Sequence, residues 1–424
     1  MKPPFRYAEI IAVGSELLTP ARQDTNSLAI TGALNAAGID VRAKAIVGDR
    51  RDDLSGLLRH ALARVDLVVL CGGLGPTDDD LTRDVVAQVL ERPLLEDLRI
   101  TEAMRARFAR RGLSMPEINR RQAMVPDGAV VFDNAYGTAP GLWIDHGDKA
   151  VVLLPGPPRE LLPMLDGDVR RRLADRAPGD GLHTRVLRIF GRSESHTEEA
   201  VRGYYPLWAA GTPPIEVTIL AARGAIDLHL SARAPTADAA AAVLDPAVRQ
   251  AADTLGDDVY SERGEAIEQV VGDLLRARGW QVAAPESCTG GLLLARLTDV
   301  PGSSAYVACG IVSYSNASKV ALLGVDGALI EAHGADSEPV AMAMASGIRA
   351  RSAAQVGIGI TGIAGPGGGT AAKPVGTVAI AVETPDAAIV RTRLLLGGRD
   401  LIRVMASHAA LDTLRRMLTG RRVP

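Results

Sequence analysis

The sequence predicts an α/β protein of three domains, and three observations carry that prediction. Strand-length apolar runs alternate with amphipathic helix-length segments in the first and last parts of the chain, the pattern of βαβ units on a parallel sheet with right-handed crossovers. At 424 residues the chain exceeds one ordinary core, since a domain takes roughly 100 to 200 residues. Aromatics are 3% of a chain that is 47% hydrophobic, so the cores are built from Ala, Val, Leu and Ile, as layered α/β folds allow.

The elements follow in order. From Ala8 run strand "AEIIAVG", helix "TNSLAITGALNAAG", strand "IDVRAKAIVGD", helix "RDDLSGLLRHALARV" and strand "DLVVLCGG". "LGPTDDDLTRDVVAQVL" opens another helix, and "KAVVLLPGPPRELLPML" supplies a further strand, turn and helix, giving a first domain over 1–172. The charged, Pro- and Gly-rich "ADRAPGDGLH" reads as a linker. A small α+β unit follows, with alternating "IEVTILAA" and "AIDLHLSARA" and an alanine-rich helix, over 173–258. The last domain, 259–424, begins with the amphipathic "EAIEQVVGDLLRARG", continues through strand "WQVAAPE", helix "GGLLLARL" and strand "YVACGIVSYS", and closes with three more strands and a helix.

Composition narrows the function. A formal net charge of -3 gives no global attraction to phosphate backbones, which argues against nucleic-acid binding as the main task and favours small ligands. Cys71, Cys288 and Cys309 are scattered and form no CxxC pair, so neither a disulfide framework nor a thiolate metal site is expected. The first residues lack the apolar core of a signal peptide, and no stretch approaches the ~20 apolar residues that span a bilayer. A cytoplasmic protein is expected.

In the first domain, "GGLGPTDDDLT" (72 to 82) follows a buried strand and opens a helix, where α/β sheets bind ligands. Gly73 and Gly75 let backbone approach phosphate, while Asp78, Asp79 and Asp80 would repel it unless a divalent cation lies between. The alternative is that the acidic run complements the helix dipole. "NAYGTAPG" (134 to 141) and "LPGPPRE" (154 to 160) add polar groups of a shared crevice, with Glu160 either a ligand, a base or a helix-start carboxylate.

In the last domain, "PESCTGG" (285 to 291) stands at a strand-to-helix corner, where Ser287 is a nucleophile, a helix cap or part of a phosphate cradle. A nucleophilic serine needs a base. His333 and His408 are the domain's histidines, and neither has a suggestive carboxylate beside it. "GIVSYSNASKVALLGV" (310 to 325) offers Tyr314 and Lys319 instead, since a desolvated lysine loses its proton near neutrality. Read singly, Tyr314 is a packing residue and Lys319 a solvated one. "ITGIAGPGGGTAAKPVGTV" (360 to 378) makes a glycine-rich cradle without the GK[ST] ending of a nucleotide-binding P-loop. Cys288 reads as a small buried thiol.

Taken in order, "VGSELL", "DTNS", "GGLGPTDDDLT", "DNAYGTAPG" and "LPGPPRE" resemble the N-terminal domain of the CinA (competence/damage-inducible protein A) family, itself similar to molybdopterin-binding MoaB-like domains. The middle segment resembles that family's KH-like insert, but no GxxG occurs between 172 and 260, so a spacer or dimerisation module is expected there rather than a nucleic-acid clamp. "ESCTGG", "SYSNASK", "TGIAGPGGG…KPVGT" and "GGR" resemble the C-terminal domain, which is similar to the nicotinamide mononucleotide deamidase PncC.

The resemblance implies a bifunctional pyridine-nucleotide salvage hydrolase. It implies Ser287 as nucleophile, Tyr314 and Lys319 as acid/base pair, and Thr361, Gly362, Gly365, Gly367 and Arg399 as substrate contacts of a deamidase that needs no cofactor. For the first domain it implies ADP-ribose hydrolysis with a divalent cation of Mg, Mn or Co type, with a monovalent cation as a further option. Asp79, Asp80 and Glu160 are then the metal residues, with Thr82 alongside the acidic pair, and Gly73, Gly75, Thr77, Asn134 and Thr138 the ligand contacts. The small-molecule partners are nicotinamide mononucleotide and ADP-ribose, with no membrane and a homodimeric state expected. Two other readings are a regulatory partner in competence or DNA repair and a pterin-binding first domain.

Overall fold

The computed structural model describes residues 2–222 and 224–424. The chain forms two compact units, Met1–His183 with Arg233–Ala241, and Thr184–Ala232 with Ala242–Pro424.

In the first unit, β1 (Tyr7–Val13), α1 (Asn26–Ala36), β2 (Asp40–Val47), α2 (Arg51–Arg64), β3 (Leu67–Cys71) and α3 (Thr82–Val89) follow the alternation of the sequence. β4 (Leu94–Glu96), α4 (Leu98–Ala109), β5 (Met124–Pro126), β6 (Val130–Phe132), β7 (Gly141–His146), β8 (Lys149–Leu154), α5 (Pro158–Met164) and α6 (Arg170–Ala174) come next. The main sheet has the order β2-β1-β3-β8-β7-β6, parallel through β8 and antiparallel beyond it. β3 reads LVVLC because both faces are covered: Val68 and Leu70 meet the side of α2 and α3, Leu67 and Val69 the side of α1 and α5. From β1 the chain builds outward to β2 and then to β3 on the other side, so a crevice opens over the carboxyl ends of β1 and β3.

The second unit starts from β9 (Gly181–Ile189), α7 (Glu194–Val201), α8 (Tyr205–Ala209), β10 (Ile215–Ala222), β11 (Ala225–Ala234), α9 (Ala237–Leu255) and β12 (Val259–Ser261), with a sheet of order β10-β11-β9-β12. The rest comprises α10 (Ile267–Arg278), β13 (Val282–Glu286), α11 (Leu292–Thr298), β14 (Val307–Val312), α12 (Asn316–Leu323), α13 (Gly327–His333), α14 (Glu338–Ser352), β15 (Val356–Gly362), β16 (Thr377–Glu383), β17 (Ala388–Leu394) and α15 (Arg399–Leu418). Its sheet, β14-β13-β15-β16-β17, is parallel over the first three strands and antiparallel over the last two. Val282 and Ala284 face a core shared with α10 and α15, while Ala283 faces α14. Gly357 and Gly359 let α14 lie flush on β15: an added Cβ would fall 2.3 Å from Ala345 O or 2.2 Å from Ala341 O.

The small sheet is fastened to α15. His408 stacks on Phe190 at 4.4 Å between ring centroids and meets Tyr260 edge-on at 5.2 Å. Arg416 bridges Asp412 of its own helix and Asp258 at the start of β12. Among the described residues no helix is long and apolar enough to cross a membrane.

Candidate active sites

In the first unit, loops leaving β1, β3 and β8 line a cleft of about 420 Å³. Gly72 turns the chain there at φ +103°, and a side chain would strike Val13 O at 2.1 Å. Gly73, Gly75, Asp79, Asp80, Thr138 and Glu160 all line this cleft. Thr77 does not: its N–H and hydroxyl donate to Asp80 Oδ2 at 2.9 and 2.5 Å, so it shapes the loop. Thr82 is also a structural residue, fully buried with its hydroxyl donating to Gly72 O at 2.9 Å. Asn134 donates to Glu160 Oε2 and Ala139 O, both at 2.8 Å, and accepts from the amides of Tyr136 and Gly137. It therefore positions Glu160 and lines a neighbouring cavity of about 510 Å³ with Arg99, Arg107 and Arg110.

Two arginines that the sequence reading passed over hold the acidic loop. Arg121 donates to Asp78 Oδ1 at 2.7 Å and Thr77 O at 3.3 Å, and buried Arg83 donates to Leu74 O at 2.9 Å and Arg121 O at 2.8 Å. Among the described residues no three His, Cys, Asp or Glu side chains stand close enough to hold a metal ion. Asp79, Asp80 and Glu160 are thus no ready-made cage. They suit a hard cation that arrives on a ligand's phosphates and takes one or two carboxylates from the protein.

In the second unit the decisive geometry lies at the carboxyl end of β13. Ser287 is 7% exposed, and its N–H donates to Ile360 O at 2.9 Å across to β15. Lys319, in the first turns of α12, is 1% exposed and brings Nζ to 3.1 Å from Ser287 Oγ. The same nitrogen donates to Ser313 O at 3.1 Å and Tyr314 O at 3.4 Å. A neutral amine has two N–H groups for those two carbonyls, which leaves its lone pair facing the serine hydroxyl. Burial pulls the Lys319 amine below its ordinary range, against the opposing pull of the Asp336 carboxylate.

Tyr314 departs from its expected place. It is 61% exposed, and its hydroxyl meets the Arg399 guanidinium at 3.2 Å; its backbone carbonyl is what touches Lys319. Arg399 also donates to Gly365 O at 2.6 Å, so it ties Tyr314 to the glycine-rich loop that holds Gly362, Gly365 and Gly367. Thr361 is fully buried, with its hydroxyl 2.9 Å from Asp336 Oδ1 and 3.0 Å from Ala335 O.

The helix after Ser287 is capped by Glu286 and not by the serine itself. Buried Glu286 accepts from the amides of Leu293 at 3.1 Å and Leu294 at 3.0 Å, so those groups are spent. The backbone amides of Thr289 and Gly291, by contrast, have no backbone acceptor among the described residues, and the turn after Ser287 could offer such groups to an oxyanion. The hydroxyls of Thr289 and Ser313, near Ser287 in the chain or fold, are fully buried without a hydrogen-bond partner. Burial pushes the Cys288 thiol up to about 12, which disfavours the thiolate near neutral pH. His408 lies in the α15 core and His333 offers its carbonyl to Lys373.

Residues 264–418 match the CinA C-terminal domain, 9–175 a probable molybdopterin binding domain and 184–261 the damage-inducible protein CinA KH domain. A CinA-like protein of Acidobacterium capsulatum is 47% identical over 415 residues, covering 97% of this chain and 99% of the relative. The chain belongs to the CinA family. A putative competence-damage inducible protein of Symbiobacterium thermophilum is 44% identical, with 97% and 99% covered. Among solved structures, a CinA protein with unknown function from Thermoplasma acidophilum is 32% identical and covers 40% of this chain and 98% of its own, at a TM-score of 0.37. The CinA assignment accounts for all three parts of the chain in order.

Proposed function

We propose that the C-terminal site is a serine–lysine amidase acting on nicotinamide mononucleotide. The observation that carries this reading is the buried Lys319 amine 3.1 Å from Ser287 Oγ, with its N–H groups occupied by two backbone carbonyls. Ser287 Oγ attacks the carboxamide carbon while Lys319 takes the hydroxyl proton. The amides of Thr289 and Gly291 stabilise the oxyanion; losing one such donor typically costs ~10²-fold or more in rate. Lys319 then protonates the departing ammonia, and water attacks the acyl-serine to release the nicotinate nucleotide. Arg399 and the glycine-rich loop suit the ligand's phosphate. Ammonia release from nicotinamide mononucleotide by wild type and Ser287→Ala tests the reading; activity that survives the substitution removes Ser287 from the nucleophile's role.

We further infer that the first-domain cleft takes a nucleotide pyrophosphate, with ADP-ribose as the hydrolysed substrate. The glycines and carboxylates that share the cleft support this. Asp79 and Asp80 would hold a divalent cation whose contribution is to offset phosphate charge. AMP release should need that cation and collapse in Asp80→Ala; full activity in EDTA would end this reading. Tight molybdopterin binding with no turnover of ADP-ribose would favour a pterin binder.

A further inference from the structure

The cavity of about 510 Å³ beside the cleft of the first unit belongs to neither site above, and its walls have a definite chemistry. One wall is a single face of α4. Arg99, Ala103 and Arg107 recur at every fourth residue, with Arg110 one turn further at the C-cap, so they stack along the helix and small Ala103 keeps the space between the arginines open. Buried Ile100 and Met104 of the same helix add an apolar floor. The opposite wall is Asp133 with the loop that follows it. That loop is pressed onto Glu160, since a Cβ on Gly137 would fall 1.9 Å from Glu160 Oε2 and 2.6 Å from Asn134 Nδ2. It stands between the cavity and the cleft, and Thr138 is the residue that both share.

The local charge favours an anion. Residues 98–111 hold five arginines against one carboxylate, Glu102, in a chain whose net charge is -3. Arg99 is spent on Asp97, with Nε at 3.2 Å from Oδ1 and Nη2 at 2.7 Å from Oδ2. Arg107 gives one N–H to Ala135 O at 3.0 Å, and among the described residues neither it nor Arg110 forms an ion pair. Two guanidiniums thus line the cavity with N–H groups to spare, a donor set that matches phosphate oxygens in pairs. Asp133 is the one carboxylate among the lining residues, and no side chain of the described residues hydrogen-bonds to it. It repels a bare anion and accepts from hydroxyls. We propose that this cavity is a second ligand site of the first unit, for a sugar phosphate, with Arg107 and Arg110 on the phosphate, Asp133 on the sugar hydroxyls and the ring on Ile100 and Met104.

The site stands or falls separately from the cleft's hydrolase reading. Calorimetric titration of the full chain with ribose 5-phosphate in EDTA tests it: without a cation the carboxylates of the cleft repel phosphate, so binding that remains reports the cavity. Arg110→Ser should weaken that binding on the order of 10-fold, the size of one charge-assisted contact. Its side chain makes no hydrogen bond within the protein among the described residues, so folding is not at stake; Arg107→Ser should weaken binding as much, though it also releases Ala135 O. Asp133→Asn should lower the preference for ribose 5-phosphate over inorganic phosphate, while inorganic phosphate itself binds as well or better. AMP titrated in parallel tells whether the sugar phosphate is taken alone or on a nucleoside, and in either case the Arg110 dependence must hold. No binding to wild type in EDTA, or equal affinity in wild type and Arg110→Ser, overturns the site. Binding that needs Arg110 but ignores both the sugar and Asp133→Asn overturns the sugar-phosphate assignment.

Discussion

Acidification should weaken the second unit through one identifiable side chain, His408. The ring is 4% exposed, lies between Phe190 and Tyr260, has an unpartnered Nε2, and feels the charges of Arg296, Arg188 and Arg415. Burial, with those cations adding to it, pulls its pKa from 6.5 to about 3. A histidine depressed in this way binds its proton more readily in the unfolded chain, so its contribution is complete above pH 6.5 and is lost as pH falls toward 3. Each pH unit in that window is worth about 1.4 kcal/mol, which makes the loss between pH 7 and pH 4 about 3 kcal/mol from this residue. His408→Phe keeps a ring in the stack and removes the titration. Urea unfolding at pH 7 and pH 4, followed by hydrogen exchange in peptides of α15, measures the difference between wild type and variant. Acid loss from groups other than His408 is common to both and cancels. If His408→Phe loses as much stability as wild type over that interval, or if the His408 resonances titrate near pH 6.5 in the native protein, the argument from burial fails.

Further expectations concern the proposed amidase site and its scaffold. Lys319→Met should lower amide turnover by ~10² to 10⁴-fold, the usual contribution of a positioned base, while the melting temperature holds or rises because a buried amine is gone. Cys288→Ala should keep most of the ammonia release, and the native thiol should resist alkylation at pH 7; loss of turnover together with rapid labelling would reinstate it as a nucleophile. Gly359→Ala places a methyl 2.2 Å from Ala341 O and should cost about 1–3 kcal/mol by pushing α14 off β15, as denaturant unfolding would report.

Much of the fold was legible because periodicity reports burial. The runs that became β1, β3 and β8 are apolar apart from Glu9 and Lys149 since each is covered on both faces, and the glycines after them mark where backbone must turn at the carboxyl ends of the strands. The Ser287–Lys319 pairing was also legible, because a serine leaving one parallel strand and a lysine just past its neighbour reach the same sheet end. Side-chain direction was not. Tyr314 and Lys319 share one short segment, yet the chain turns Lys319 inward and leaves the Tyr314 ring outside against Arg399. Thr77, Thr82 and Asn134 carry ligand-like chemistry that the loops spend on their own geometry. Asp336 lies in a loop with no local pattern, and its carboxylate accepts from Thr361 near the end of β15. Glu286 had a readable signal: a carboxylate ending an apolar strand must find donors, and the nearest are the amides of the helix that follows.

α15 deserves a mechanical description. Its first residue, Arg399, grips Gly365 O and the Tyr314 hydroxyl, while near its far end Arg415 and Arg416 are bolted to the segment that begins β12. Twenty helical residues form a stiff rod of about 30 Å. A tilt of the small sheet would therefore reach, along this shaft, the arginine that holds the glycine-rich loop.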